Sequence, residues 1–314
     1  MRIMITGGTG FIGSALASGL VRDGHHVVAY DLTPQMERIA DIRDALEIVR
    51  GDIRDPAKLI DAIKTHRIDH IMHLAAYLPE AAIREQPTLA IRINAEGTNN
   101  VFEAARIMGV RRVVYASSES VDPTGPTEDA PCQPMSLYGH LKLLNEAMAR
   151  HYTDRFGLDT IGLRFGMNYG PGSRLIANEL ERQYASAIVH DAIEKVARDE
   201  QVLVLFDESA SFHWVYIRDN VRLMTLSLQA PDTENRVFNV CGDQLRTLGD
   251  MADILRRIRP GADVAFRGSA MSSALRPSEA HQVDCSAARK QLGYAPEYSL
   301  ERGLREYIAT YATQ

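Results

Sequence analysis

In LYGHLKLLNEA, residues 137–147, a tyrosine and a lysine stand four positions apart, Tyr138 and Lys142. The segment reads as a helix, and on a helix residues at that spacing share a face. A free phenol titrates near pH 10 and is a poor base at neutral pH. An ammonium about 5 Å away, at an effective dielectric near 20, favours the phenolate by about 3 kcal/mol. That makes the phenol roughly a hundredfold more acidic and suits it to take a proton from an alcohol. Y-x-x-x-K alone is a frequent accident. Chemistry needs two more parts: a donor for the substrate oxygen and an acceptor for the hydride. Ser117 and Ser118, in the run YASSES, offer the donor.

The acceptor is suggested by TGGTGFIG, where Gly7, Gly10 and Gly13 are spaced three apart. The run follows an apolar strand pattern and opens a helix, the context that gives such glycines meaning. Gly7 would allow the tight turn, Gly10 a close backbone approach to a pyrophosphate, and Gly13 close helix–sheet packing. The anion would rest on the helix N-terminus, against Phe11 and Ile12. Asp31 ends the second strand pattern. An acid there accepts from ribose hydroxyls and repels a 2′-phosphate, which predicts NAD rather than NADP; Arg38 is the nearest arginine after it. Asp52 and Ile53, after the third strand pattern, would meet the adenine amino group and ring.

Positioning these groups requires a scaffold, and the apolar rhythm supplies one. Short β-branched runs at 2–6, 26–31, 46–52, 69–76, 111–118 and 159–165 alternate with helical patterns at about 11–23, 56–66, 80–109 (broken near Pro87) and 136–156. Near-continuous apolar strands separated by helices mean a parallel sheet covered on both faces. Right-handed crossovers then give a doubly wound α/β domain of the Rossmann type. In such a sheet ligands bind at the carboxyl ends of the strands, where the glycine turn and the two serines fall. After residue 166 the pattern changes to turns, a charged helical stretch near 175–199, and short strands at 202–206, 212–217 and 236–240. We read 1–165 with about 212–240 as the nucleotide-binding domain. About 166–211 and 241–300 form a smaller interleaved α/β substrate lobe, and 300–314 a closing helix.

The 314 residues carry a net charge of −6 with acids and bases mixed, and no basic stripe for nucleic acid. No apolar run approaches a membrane span, and the first strand pattern leaves no room for a signal peptide. Cys132, Cys241 and Cys285 are odd in number and widely spaced, without CxxC. They read as thiols of a reducing cytoplasm, with no metal set.

Taken together, TGGTGFIG, Asp31, GDIRD, HLAA, NAEGTNN, ASSES, YGHLK, LRFGMNYGPG, FNVCG and LGYAPEYSLERGLREYI resemble the extended short-chain dehydrogenases/reductases, the NAD-dependent epimerase/dehydratase family. The resemblance runs over nearly the whole chain. It implies Tyr138 as catalytic base, Lys142 as its partner and ribose ligand, and Ser118 as the hydroxyl that orients substrate. It places Leu74, Ala75 and Ala76 along the cofactor, with Asn94, Ser117 and Phe165 close by. It also implies a homodimer through helices near 94–108 and 136–156, which offer Val101, Ala104, Ala105, Met108, Leu141, Leu144, Asn145 and Met148.

Departures from the family pattern bear on substrate. Where nucleotide-sugar enzymes show R-x-x-N, this chain has Arg164 followed by Met167 in the asparagine position and Asn168 beside it. Phe212 or His213 stands where many carry an arginine; Arg276 does match a diphosphate-directed arginine. Met167, Asn168, His213, Arg276, Ser118 and Glu119 are the expected substrate contacts. A sugar-like polyol, sugar acid or sugar fits better than a uridine-diphosphate sugar, whose 4-epimerisation stays as the alternative. The 4,6-dehydratases carry an acid pair where this chain has Glu119 and Ser120, which argues against dehydration. A non-catalytic dinucleotide sensor would lack Tyr138 or Lys142, and an RNA-binding relative would want a basic cleft.

Overall fold

The computed structural model describes all residues except 79, 173–184, 205, 269–282 and 313–314. In chain order the first half runs β1 (Arg2–Thr6), α1 (Phe11–Arg22), β2 (His26–Asp31), β3 (Glu47–Arg50), α2 (Pro56–Thr65), β4 (His70–His73), α3 (Glu80–Glu85), α4 (Pro87–Ile91), α5 (Thr98–Met108), β5 (Arg112–Ser118), α6 (Leu137–Phe156) and β6 (Asp159–Phe165). There follow β7 (Met167–Tyr169), α7 (Ala185–Ala197), β8 (Val202–Val204), β9 (Ser211–Tyr216), α8 (Ile217–Gln229), β10 (Val237–Asn239), β11 (Leu245–Thr247), α9 (Leu248–Ile258), β12 (Val264–Phe266), α10 (Ser286–Leu292) and α11 (Leu300–Ala312).

The chain divides into two units. The first comprises Met1–Phe165, Val221–Asn239 and Asp284–Tyr294. Its seven-stranded sheet has the order β10-β6-β5-β4-β1-β2-β3, and every pairing is parallel. The β-branched and aliphatic runs are buried on both faces: Ile3, Met4, Ile5, Val27, Val28, Val113 and Val114 are fully inaccessible. Strand order reverses between β1 and β4, which opens the ligand crevice of a doubly wound sheet at their carboxyl ends. The helix begun at Glu80 breaks before Pro87, as the sequence predicts. A π-helical turn over Arg92–Gly97 then precedes α5, a feature that often marks functional positions.

The second unit comprises Gly166–Asn220, Val240–Val283 and Ala295–Gln314. It holds a three-stranded sheet, β11-β9-β7, and a parallel pair, β12-β8. The return to the first unit therefore begins at Val221, not near 212. Ser211–Tyr216 pairs with Met167–Tyr169 and Leu245–Thr247 and so belongs with the second unit.

Two further expectations change. Cys132 is a free thiol, but Cys241 and Cys285 are both disulfide-bonded; linear spacing cannot show which distant segments the fold brings together. Of the helix residues named for a dimer, Val101, Ala104, Ala105, Leu141 and Asn145 are buried within the first unit, and only Leu144 is well exposed. His190 is buried on α7, and burial pushes it down to about 4. Among the described residues no helix is long and apolar enough to cross a membrane.

Candidate active site

The glycine turn leaves β1 at the switch point. Gly7 has φ +67°, the left-handed region that favours glycine. A Cβ there would come within 3.0 Å of the Ala75 backbone, so the turn after β1 lies directly against the segment after β4. A Cβ at Gly13 would strike Gly7 O, which is why α1 packs so close. At Gly10 a Cβ would meet only Gly7 O, at 3.1 Å. Gly10 N-caps α1 without a side chain, and the first turn carries no acid. This is a bare helix N-terminus, framed by Phe11 and Ile12, with room for a pyrophosphate.

Asp31 is tied to that turn. Its Oδ2 accepts from Thr9 N (3.1 Å) and Thr9 Oγ1 (2.7 Å), and Oδ1 from Thr33 N (3.1 Å). The carboxylate is thus held beside the glycine loop, where the ribose of a dinucleotide would lie. The residues after β3 depart from expectation. Asp52 is clasped by Arg54 through Nε (3.1 and 3.0 Å), Nη2 (2.5 Å) and the backbone N (2.8 Å), which holds its carboxyl below the usual range. Ile53 is a core residue beneath Gly97.

Leu74, Ala75 and Ala76 form a half-buried strip after β4. Asn94, from the π turn, grips that segment: its Oδ1 accepts from Tyr77 N (2.7 Å) and its Nδ2 donates to Tyr77 O (3.1 Å). Both ends of its amide engage Tyr77, so it shapes the segment after β4 through the backbone. His73 is packed between Thr6 Oγ1 (2.6 Å) and Thr98 Oγ1 (3.0 Å), and burial pushes it down to about 3.

Tyr138 and Lys142 lie on the first turns of α6, against the end of β5. Gly139 makes the approach possible: a Cβ there would strike Ser120 O and come within 2.9 Å of Pro134. Ser118 stands close enough to the Tyr138 hydroxyl to favour its phenolate, and Ser118 Oγ accepts from Ser120 N at 3.1 Å. Lys142 Nζ stands 5.4 Å from the Tyr138 ring centroid and donates to Ala116 O at 2.7 Å. The expected acidification of the tyrosine does not dominate here. Burial raises Tyr138 above its ordinary value, and the nearby Ser118 hydroxyl acts against that rise. Burial also pulls Lys142 down to about 8, opposed by the charge of Glu146.

Glu146 is a residue sequence reasoning passed over. One more turn along α6 from Lys142, it is 7% exposed. It accepts from Ser117 Oγ (2.5 Å), Arg164 Nε (2.9 Å) and Arg164 Nη2 (2.8 Å). The two serines therefore divide their work: Ser118 faces the tyrosine, and Ser117 anchors the carboxylate beside the lysine. The signal was present in the sequence as a third polar residue at the same helical spacing. Phe165 ends β6 and is buried. Glu119 opens a short 3₁₀ turn after Ser118, and burial pushes its carboxyl up to about 7.

In the second unit, Met167 and Asn168 lie on β7, and Asn168 Oδ1 accepts from Asn220 Nδ2 at 2.7 Å. His213 is buried on β9 beside Trp214, which packs edge-on against Phe212. Arg276 lies outside the described residues.

Comparisons agree with this geometry. Residues 3–241 match the model of the NAD-dependent epimerase/dehydratase family. The chain is 28% identical over 318 residues to a UDP-glucose 4-epimerase of Mycolicibacterium smegmatis, covering 98% of this chain and 97% of that one. It is similar to the structure of a UDP-glucuronic acid 4-epimerase from Bacillus cereus, in complex with UDP-glucuronic acid and NAD (26% identity, TM-score 0.81, 100% and 99% covered). It shares its fold with an L-threonine dehydrogenase from Cupriavidus necator (22% identity, TM-score 0.87, 99% of each covered). The glycine cradle and tethered acid fit the cofactor these findings name: the chain belongs to the NAD-dependent epimerase/dehydratase family and is an NAD-dependent dehydrogenase or epimerase.

Proposed function

We propose that the enzyme oxidises a secondary alcohol of a sugar-like substrate through Tyr138, Lys142 and Ser118. The observation that carries the reading is the buried Lys142, its Nζ 5.4 Å from the Tyr138 ring and tied to Ala116 O beside Ser118, at the carboxyl edge that also bears the glycine turn. NAD, when bound, supplies a hydride acceptor that carries positive charge. Ser118 donates to the substrate oxygen, and Tyr138 Oη takes its proton. Lys142, charged below about pH 8, favours the phenolate against the burial that opposes it. Gly7, Gly10 and Gly13 cradle the pyrophosphate, Asp31 takes the ribose hydroxyls, and Leu74–Ala76 line the path. The proposed substrate contacts are Glu119 on the first unit and Met167, Asn168, His213 and Arg276 on the second.

The ketone then either leaves or is reduced from its other face, giving a dehydrogenase or an epimerase. A nucleotide sugar is the second reading. The epimerases named above favour it, and Met167 in the asparagine position argues against it. Assaying UDP-glucose and UDP-glucuronate beside free polyols and sugar acids separates the two. Tyr138→Phe is expected to abolish turnover and keep NAD binding; near wild-type turnover would remove Tyr138 from the mechanism. The cytoplasm is the proposed location. A homodimer is proposed through the outer face of α5 and α6, where Ile107, Leu144 and Phe156 are exposed. A groove of about 720 Å³ runs there between Glu103, Arg106, Leu144 and His151. Sedimentation at a monomer mass across micromolar concentrations would refute it.

A further inference from the structure

On the first unit, at the edge of the sheet opposite the glycine turn, two histidines and a glutamate converge. His26 opens β2, Glu47 opens β3, and His66 caps the end of α2. The fold brings them together for simple reasons. β3 pairs in parallel with β2, with Glu47 opposite Val28, so both strands begin at one edge. α2 runs back toward that edge to feed β4, and its last turn ends there. Arg2, from β1, steadies the turn by donating from Nε to His66 O at 2.6 Å.

Glu47 Oε1 lies 2.9 Å from His26 Nε2, and Glu47 Oε2 lies 2.6 Å from His66 Nδ1. The three ligand atoms all fall within 4.8 Å of one another. His26 Nε2 is a buried atom, and in spite of its closeness to Glu47 it forms no hydrogen bond. A buried polar atom left this way is unfavourable, and a cation placed between the two atoms would satisfy both at once.

We propose that His26, Glu47 and His66 form a binding site for a divalent transition-metal ion of the zinc class. Two imidazoles and one carboxylate are a ligand set zinc takes, with the fourth position left to solvent. Imidazole donors favour zinc, nickel or copper over magnesium or calcium, which prefer oxygen alone. Zinc bonds of about 2.0–2.1 Å hold tetrahedral ligand atoms about 3.3 Å apart. Both contacts to Glu47 would open by a few tenths of an ångström on binding. Glu47 is 47% exposed at its side chain and free to make that adjustment. The site clips the amino ends of β2 and β3 to the end of α2. It lies at the edge away from Tyr138, so its ion is structural and takes no part in the reaction.

The test uses the full chain, freed of metal by a chelator and titrated with zinc chloride in a calorimeter. One equivalent is expected to bind saturably, to raise the thermal midpoint, and to do neither in Glu47→Gln or His66→Gln. Circular dichroism of the metal-free variants checks that they are folded. Cobalt(II) added to the wild type is expected to give the visible bands of nitrogen and oxygen ligation. Absence of saturable zinc binding would overturn the proposal. So would binding that survives in both variants, or a cobalt spectrum with a strong thiolate band, which would move the metal to cysteine.

Discussion

Replacing Glu146 by glutamine tests the anchoring of the active-site lysine most directly. The two side chains have nearly the same volume, so the change removes charge and little packing. In the wild type the carboxylate is 7% exposed and Arg164 is 4% exposed. Arg164 reaches it through two nitrogens, at 2.9 and 2.8 Å, and Ser117 through its hydroxyl at 2.5 Å. Breaking a buried pair by removing one partner costs about 3–5 kcal/mol, because the other charge is left without compensation. Lys142 adds a second signature. Its acidity, about 8 in the fold against 10.5 ordinarily, corresponds to about 3 kcal/mol against the charged form at neutral pH. The unfolded chain binds the lysine proton up to about pH 10.5 and the folded chain only to about 8. This contribution therefore makes stability rise with pH through that window. Without Glu146 the lower end of the window moves down, and the alkaline loss of turnover moves down with it. The assay is urea unfolding followed by far-ultraviolet circular dichroism at neutral and alkaline pH, paired with a pH–rate profile. Joint replacement of Glu146 and Arg164 by methionine is expected to recover most of the stability. A loss below about 1 kcal/mol in Glu146→Gln, the level of an exposed pair, would refute the reasoning.

Gly139→Ala is expected to lower turnover far more than NAD affinity, since its Cβ would strike Ser120 O and push α6 off the end of β5; steady-state kinetics with cofactor titration checks this. His73, neutral in the core with a value near 3, makes the fold acid-labile. Between about pH 6.5 and 3 the unfolded chain takes up a proton the folded one does not, so stability falls by up to about 5 kcal/mol as pH drops; acid titration of wild type against His73→Gln reads the difference. Met167→Asn is expected to tighten UDP-glucose binding by about two- to tenfold, the worth of one neutral hydrogen bond of about 0.5–1.5 kcal/mol, measured by calorimetry.

The parts of the site that depend on local chemistry were legible in the sequence. Three glycines in register, an acid at the end of β2, and Y-x-x-x-K on a helix each declare a local geometry. The strands of the first unit were legible too, because full burial on both faces writes an unbroken apolar run. Less was legible where a residue's use depends on a distant neighbour. Ile53 and Asn94 sit where a cofactor contact was expected, yet one faces the core and the other holds backbone. Ser211–Tyr216 has the composition of a central strand, and only its pairing with β7 and β11 assigns it to the second unit. The disulfide state of Cys241 and Cys285, and the gathering of His26, Glu47 and His66, arise from segments far apart in sequence.

The substrate question turns on one step of strand register. Met167 occupies the position where nucleotide-sugar enzymes carry asparagine, and Asn168 follows it directly. Along a β-strand successive side chains point to opposite faces. Both residues lie on β7, paired in register with Trp214 and Val215 of β9. The asparagine has therefore not simply slid by one place, since that slide turns it to the other face. Its amide oxygen is also already engaged by Asn220 at 2.7 Å. Met167 itself offers a soft apolar surface and no donor for a diphosphate. Similarity over the full chain cannot weigh this. The same fold serves the sugar-nucleotide epimerases and an L-threonine dehydrogenase alike, so the fold alone does not choose the substrate.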